Sequence, residues 1–187
     1  TAFDSAPLAP NYAFILKEEK QHFETGLKAL NKLTSGKVYV GISQRQPIDV
    51  KNATSVIFDG PHPAGNVGIQ INHIAPIDKG DTVWTMSALD VLFIGRLFDK
   101  GIADFSRIVA VTGSEIDDPH YVRTRIGASI ASITQGMVKA VEYEQRYISG
   151  NVLTGVKTDA DGYIGATHSQ ITVIPEGNNY NEFLGWA

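Results

Sequence analysis

The chain has 187 residues, 43% of them apolar and 19% charged, with a formal net charge of −4 and no cysteine. That balance is too apolar for disorder, and the length suffices to bury a sizeable core in one or two domains. It excludes disulfides, iron–sulfur clusters, zinc ribbons and thiol nucleophiles, and the lack of any basic run argues against nucleic acid as a partner.

The opening Thr1-Ala-Phe-Asp-Ser-Ala-Pro7 has neither the charge nor the apolar run of a signal peptide and reads as an excised fragment or a processed end. Residues 18–35 have the spacing of a helix: Phe23, Leu27, Leu30 and Leu33 fall on one face and Gly36 stands as its terminator. Residues 37–42 and 55–58 read as buried strands, and the dozen residues between them suffice for a crossover between parallel strands. A short helix is expected over 66–73 and a third strand over 81–86. Ser87-Ala-Leu-Asp90 has the form of a capping box, opening a helix that runs to Asp99 and stops at Lys100-Gly101. This helix includes the longest apolar run, residues 86–98, but Asp90 and Arg96 interrupt it, so no membrane span is expected.

Beyond residue 104 the pattern changes. Residues 107–112 and 121–126 read as strands joined by a turn-rich link, with Val122, Thr124 and Ile126 on one face of the second and Arg123 and Arg125 on the other. A Ser-capped short helix over 129–135 follows, then strands over 143–149 and 169–174. Asp161-Gly162 before Tyr163-Ile164 reads as a tight hairpin turn. The expected organisation is a partial Rossmann-like α/β domain over 1–103 and a β-grasp-like module over 104–187.

No familiar catalytic motif is present. Gly60-x4-Gly65 has the spacing of a phosphate loop, but Asn66 and Val67 stand where Lys and Ser/Thr are needed, and Gly150-x4-Gly155 fails in the same way. No G-x-G-x-x-G occurs, and the histidines at 22, 62, 73, 120 and 168 have no metal-ligand spacing. Asp159-Ala-Asp161-Gly162 departs from a calcium loop at the first ligand position, Lys157. Arg123 and Arg125 project together and would suit a carboxylate or a partner, or form a solvated strand face. The stretch that draws attention is Pro61-His62-Pro63-Ala64-Gly65, a stiff loop at the carboxyl end of a strand, where open α/β sheets bind ligands. These five residues are the candidate site for a quinone or a partner, against the alternative of a tight strand-to-helix turn.

Several stretches carry a resemblance. They are Phe58-Asp-Gly-Pro-His-Pro-Ala-Gly65, Ala88 to Phe98, Arg107-Ile-Val-Ala-Val-Thr-Gly113, Val122 to Ser129, Ile148 to Gly155 and Phe183-Leu-Gly-Trp-Ala187, together with the opening Phe3 to Pro10. In this order they resemble the NqrA subunit of the bacterial Na+-translocating NADH:quinone reductase. More distantly, the chain is similar to the NADH-binding flavoprotein subunit of respiratory complex I and to the RnfC subunit of the Rnf complex. The resemblance implies the middle part of a longer subunit, peripheral on the cytoplasmic face of the inner membrane and touching the membrane only through partner subunits. It implies a Rossmann-like part followed by a β-grasp, soluble-ligand-binding part. It implies an accessory role without a cofactor of its own, with NADH, flavins and iron centres on other subunits and quinone as a possible ligand. An NADH- or flavin-binding oxidoreductase fragment and a stand-alone β-grasp ligand-binding module are the alternatives.

Overall fold

The computed structural model describes residues 1–178, so the Phe183–Ala187 stretch of the resemblance lies outside the described residues. The chain divides into two compact units, Thr1–Phe105 and Ser106–Ala187, together of mixed α/β type.

In the first unit, α1 (Tyr12–Leu16) is capped by Asn11, whose side chain accepts the Phe14 N–H. Helix α2 (Lys20–Leu33) buries Phe23 and Leu27, at 2% and 1% exposure, while Leu33 at the end of the expected apolar face stands 79% exposed. The buried face is therefore shorter than the helix that carries it. Strands β1 (Tyr39–Ser43) and β2 (Thr54–Phe58) pair in parallel, with Gly41 opposite Val56 and Ile42 opposite Ile57. Their connection contains no helix. It is held instead by the buried Glu24 of α2, whose carboxylate accepts from Lys51 N, Asn52 N and Asn52 Nδ2. Strand β2 was expected to be buried; its residues are exposed or half-buried, and Ile57 is 62% exposed.

Helix α3 (Val67–Ile74) forms as the pattern predicts. The third strand does not: residues 81–86 are irregular and mostly exposed, because no neighbouring strand offers them a ladder. The capping box is present at the start of α4 (Ala88–Lys100), where Ser87 Oγ accepts the Asp90 N–H and the Asp90 carboxylate accepts the Ser87 N–H. Gly101 ends the helix at φ 71°, a left-handed conformation that glycine adopts without strain. Helices α2 and α4 pack where both lack a side chain: a Cβ on Gly26 would strike the Val91 carbonyl, and one on Gly95 the His22 carbonyl. Full burial of Leu27 and Leu92 contributes about 1.5–3 kcal/mol each. Further along α4, the fully buried Arg96 grips Glu19 through Nε and Nη2, at 3.2 and 2.6 Å, and donates to the Asp104 carbonyl.

The second unit is a five-stranded mixed sheet in the order β4 (His120–Arg125), β3 (Ser106–Thr112), β7 (Gln170–Pro175), β5 (Gln145–Ser149), β6 (Val156–Thr158). The central β3–β7 pair is parallel and its neighbours are antiparallel. Helix α5 (Ile130–Ile133), capped by Ser129, sets Ile130 and Ile133 in one core with Val109, Val111, Ile171 and Val173, all buried. Asp159 to Gly162 does turn, but no hairpin follows. Tyr163 bridges to Ser129, and the three residues of β6 pair with β5 instead.

Candidate functional site

The loop after β2 is built from two successive turns. Pro61 O accepts the Ala64 N–H at 3.0 Å, Pro63 O accepts the Asn66 N–H at 2.8 Å, and the His62–Pro63 peptide is cis. Its anchor comes from far away in sequence. Ser5 Oγ accepts the buried Gly65 N–H at 2.7 Å and lies 3.2 Å from His62 Nδ1. With a lone pair occupied by Gly65, the Ser5 hydroxyl has its own proton to offer His62 Nδ1, an arrangement that places the ring proton on Nε2. A Cβ on Gly65 would collide with the backbone of Asp4 and Ser5, so only glycine lets the two segments touch.

From the inner side, the buried Gln70 of α3 reaches the carbonyls of Ala64 and Gly65 through long contacts of 3.5 and 3.4 Å. Its amide lies over Gly41 of β1, where a Cβ would collide with it. Pro61, His62 and Pro63 remain exposed while Gly65 and Gln70 are buried. The result is a loop pinned from within that presents one imidazole outward. Such a group can donate one hydrogen bond to a carbonyl-bearing ligand; no carboxylate is hydrogen-bonded to it for acid–base relay among the described residues.

The other stretches singled out from sequence resolve into structural roles. The Gly150–Gly155 loop fails as a phosphate cradle for a visible reason: Asn151 Oδ1 already takes the Leu153 and Thr154 N–H groups, each at 2.9 Å. Arg123 and Arg125 share an exposed face of β4. Among the described residues no group of three or more His, Asp or Glu could hold a metal ion, and no helix is long and apolar enough to cross a membrane.

Two clusters escaped sequence reasoning because their members are far apart in the chain. His22 Nδ1 on α2 and Asp99 Oδ2 on α4 lie 2.5 Å apart, and the His22 hydrogen bond holds the Asp99 carboxyl below the usual range. In the second unit, Ser149 Oγ accepts the Gly165 N–H at 2.9 Å and lies 2.8 Å from His168 Nδ1. The buried Arg107 donates to the carbonyls of Ala166 and Gly165 at 2.7 and 2.8 Å. Burial, followed by the Arg107 charge, pushes the His168 imidazole below its ordinary value. The imidazole is neutral, held from two strands, and fastens the turn that leads into β7.

Comparison with known proteins matches residues 1–103 to the family model described as the NqrA second alpha/beta domain, and residues 108–160 to that described as the NQRA C-terminal domain. The NqrA subunit of the Na(+)-translocating NADH-quinone reductase of Neisseria meningitidis serogroup C is 40% identical over 190 residues. The same subunit is 41% identical over 191 residues in Hahella chejuensis and 40% identical over 191 in Yersinia pestis. In each case the match takes in 100% of this chain and 42% of the relative, so the chain spans less than half the length of the proteins it resembles.

Proposed function

The chain belongs to the NqrA family of the Na+-translocating NADH-quinone reductases, and from that premise we propose that it is an accessory, cofactor-free part of such a pump. The observation that carries this reading is the similarity along all 187 residues, in the order of the two family models. In it the chain works as scaffold, docks on the other subunits of the complex and meets the membrane only through them, on the cytoplasmic face. The first unit is a partial Rossmann-like domain over 1–103. The second, over 104–187, is a β-grasp module; the order β4-β3-β7-β5 with a parallel central pair and a helix between the two antiparallel arms supports that reading. NADH, flavins and iron centres belong to partner subunits, consistent with a chain that lacks both cysteine and a dinucleotide glycine loop.

Within this role the loop Pro61, His62, Pro63, Ala64 and Gly65 is the contact for quinone. Its backbone is ordered by Ser5 and Gln70 before any ligand arrives, so little entropy is lost on binding. Photoreactive quinone cross-linked in the assembled complex and mapped by peptide should label residues 58–66; label confined to other subunits would overturn the contact. His62→Ala should raise the quinone KM without loss of assembly, and unchanged kinetics would leave the loop a turn. A stoichiometric flavin spectrum or micromolar NADH binding by the purified protein would replace the whole reading with that of a cofactor-binding oxidoreductase fragment.

A further inference from the structure

The parallel pair in the first unit ends on a strand with no defence. Thr54 N donates to Val38 O and Phe58 O accepts from Gln44 N, so the even-numbered residues of β2 face β1. The alternation leaves the N–H and C=O of Ser55 and Ile57 pointing the other way. Both residues are exposed, and among the described residues neither makes a hydrogen bond beyond the sheet. The register sets Ile57 beside Ile42 and Ser55 beside Val40, on the same face of the sheet. Val40 and Ile42 are 5% exposed, whereas Ile57 is 62% exposed. Cover over that face therefore ends at β1.

Open edges invite pairing with other chains, and proteins blunt them with charge, proline or bulges. The outer strands of the second unit follow this rule: β4 shows Arg123 and Arg125, and β6 carries Lys157 at its centre. On the opposite flank of β1, Ala2 N donates to Gly41 O and the opening segment lies alongside. Strand β2, Thr-Ser-Val-Ile-Phe, has no charge, no proline and no bulge. Left open, it is the sequence type that aggregates.

We propose that this edge is an interaction surface, and that its occupant is a β-strand from the same polypeptide, outside residues 1–187. The relatives are more than twice as long as this chain, and the first unit matches a domain described as the second of its kind, which presupposes another α/β domain in the same polypeptide. The added strand pairs with the outward groups of Ser55 and Ile57, and an apolar side chain on it covers Ile57. The inference rests on family membership and is independent of the quinone contact at Pro61–Gly65.

The test is amide hydrogen exchange on the purified full-length protein and on the assembled complex. Ser55 and Ile57 should already exchange roughly a hundredfold or more below the unstructured rate in the isolated full-length protein. Ile57→Asp in that protein should abolish the protection and lower the unfolding midpoint; should the variant fail to fold, Ile57→Ala should weaken the protection while leaving the exchange of β1 unchanged. Unprotected amides in the full-length protein overturn the proposal. If protection arises only in the complex, the occupant is a partner protein; if it grows with protein concentration, it is a second copy. Loss of quinone effects at His62 with β2 still protected would sink the proposed ligand contact alone.

Discussion

Gly95 of α4 lies directly against the carbonyl oxygen of His22 on α2, so close that the Cβ of any other residue would occupy the oxygen's place. The two helices are in backbone contact at this point. A methyl group there must force the pair apart along the whole buried face of Phe23, Leu27 and Leu92.

Gly95→Ala should therefore cost about 3 kcal/mol, toward the upper end of the usual overpacking cost. Gly68→Ala is the internal contrast. Gly68 sits in α3 with open space where its Cβ would be, and the substitution should gain about 0.5–1 kcal/mol by restricting the unfolded chain. Urea unfolding midpoints measure both, and equal effects would refute the contact.

Ser5→Ala should lower stability by about 1–2 kcal/mol, since it leaves the buried Gly65 N–H without its acceptor. His62→Ala should change it by less than about 0.5 kcal/mol, because the ring is exposed. The reverse ranking would mean that the histidine, not the serine, shapes the loop.

Glu176 is held by Arg146 and Lys157, whose hydrogen bonds and charges bring its carboxyl down from the usual 4.5 to about 2. A carboxyl depressed by folding adds stability above its ordinary value, and that stability is lost as pH falls from about 4.5 to about 2. Glu176→Gln should flatten this part of the acid limb in unfolding midpoints measured against pH. An unchanged acid limb would remove the network from the account.

His168 shows the opposite ionic type with the same direction of shift. Burial and the Arg107 charge lower its imidazole from 6.5, so the unfolded chain binds the proton more readily than the folded one. Its share of stability is complete above pH 6.5 and declines as pH falls below that value. The decline should disappear in His168→Gln, whose amide can still meet Ser149. Titration of the His168 ring by NMR at or above its ordinary value would overturn the assignment.

Much of this could be read from residue order. The capping box at Ser87, the glycine stop at 101 and the antiparallel pair of β3 and β4 follow from local chemistry that needs no distant partner. The departures share one cause. Residues 81–86 have strand-like composition but nothing alongside them, and the three residues of β6 have little pattern yet find β5. Pairing is decided by what the rest of the fold brings near. The candidate loop was legible as a stiff turn from its prolines and glycines. Its anchor was not, since Ser5 stands 60 residues before Gly65 and is of a residue type common on any surface.

The missing side chain at Gly41 has a reach beyond its own strand. Because the Gln70 amide rests on that bare backbone while extending to Ala64 and Gly65, the height of the loop above the sheet is geared to position 41. Gly41→Ala would lift the amide and slacken the loop from behind, touching neither the prolines nor the imidazole. Positions 41 and 70 should accordingly tolerate change only as a pair, a larger residue on the strand being matched by a shorter one on the helix.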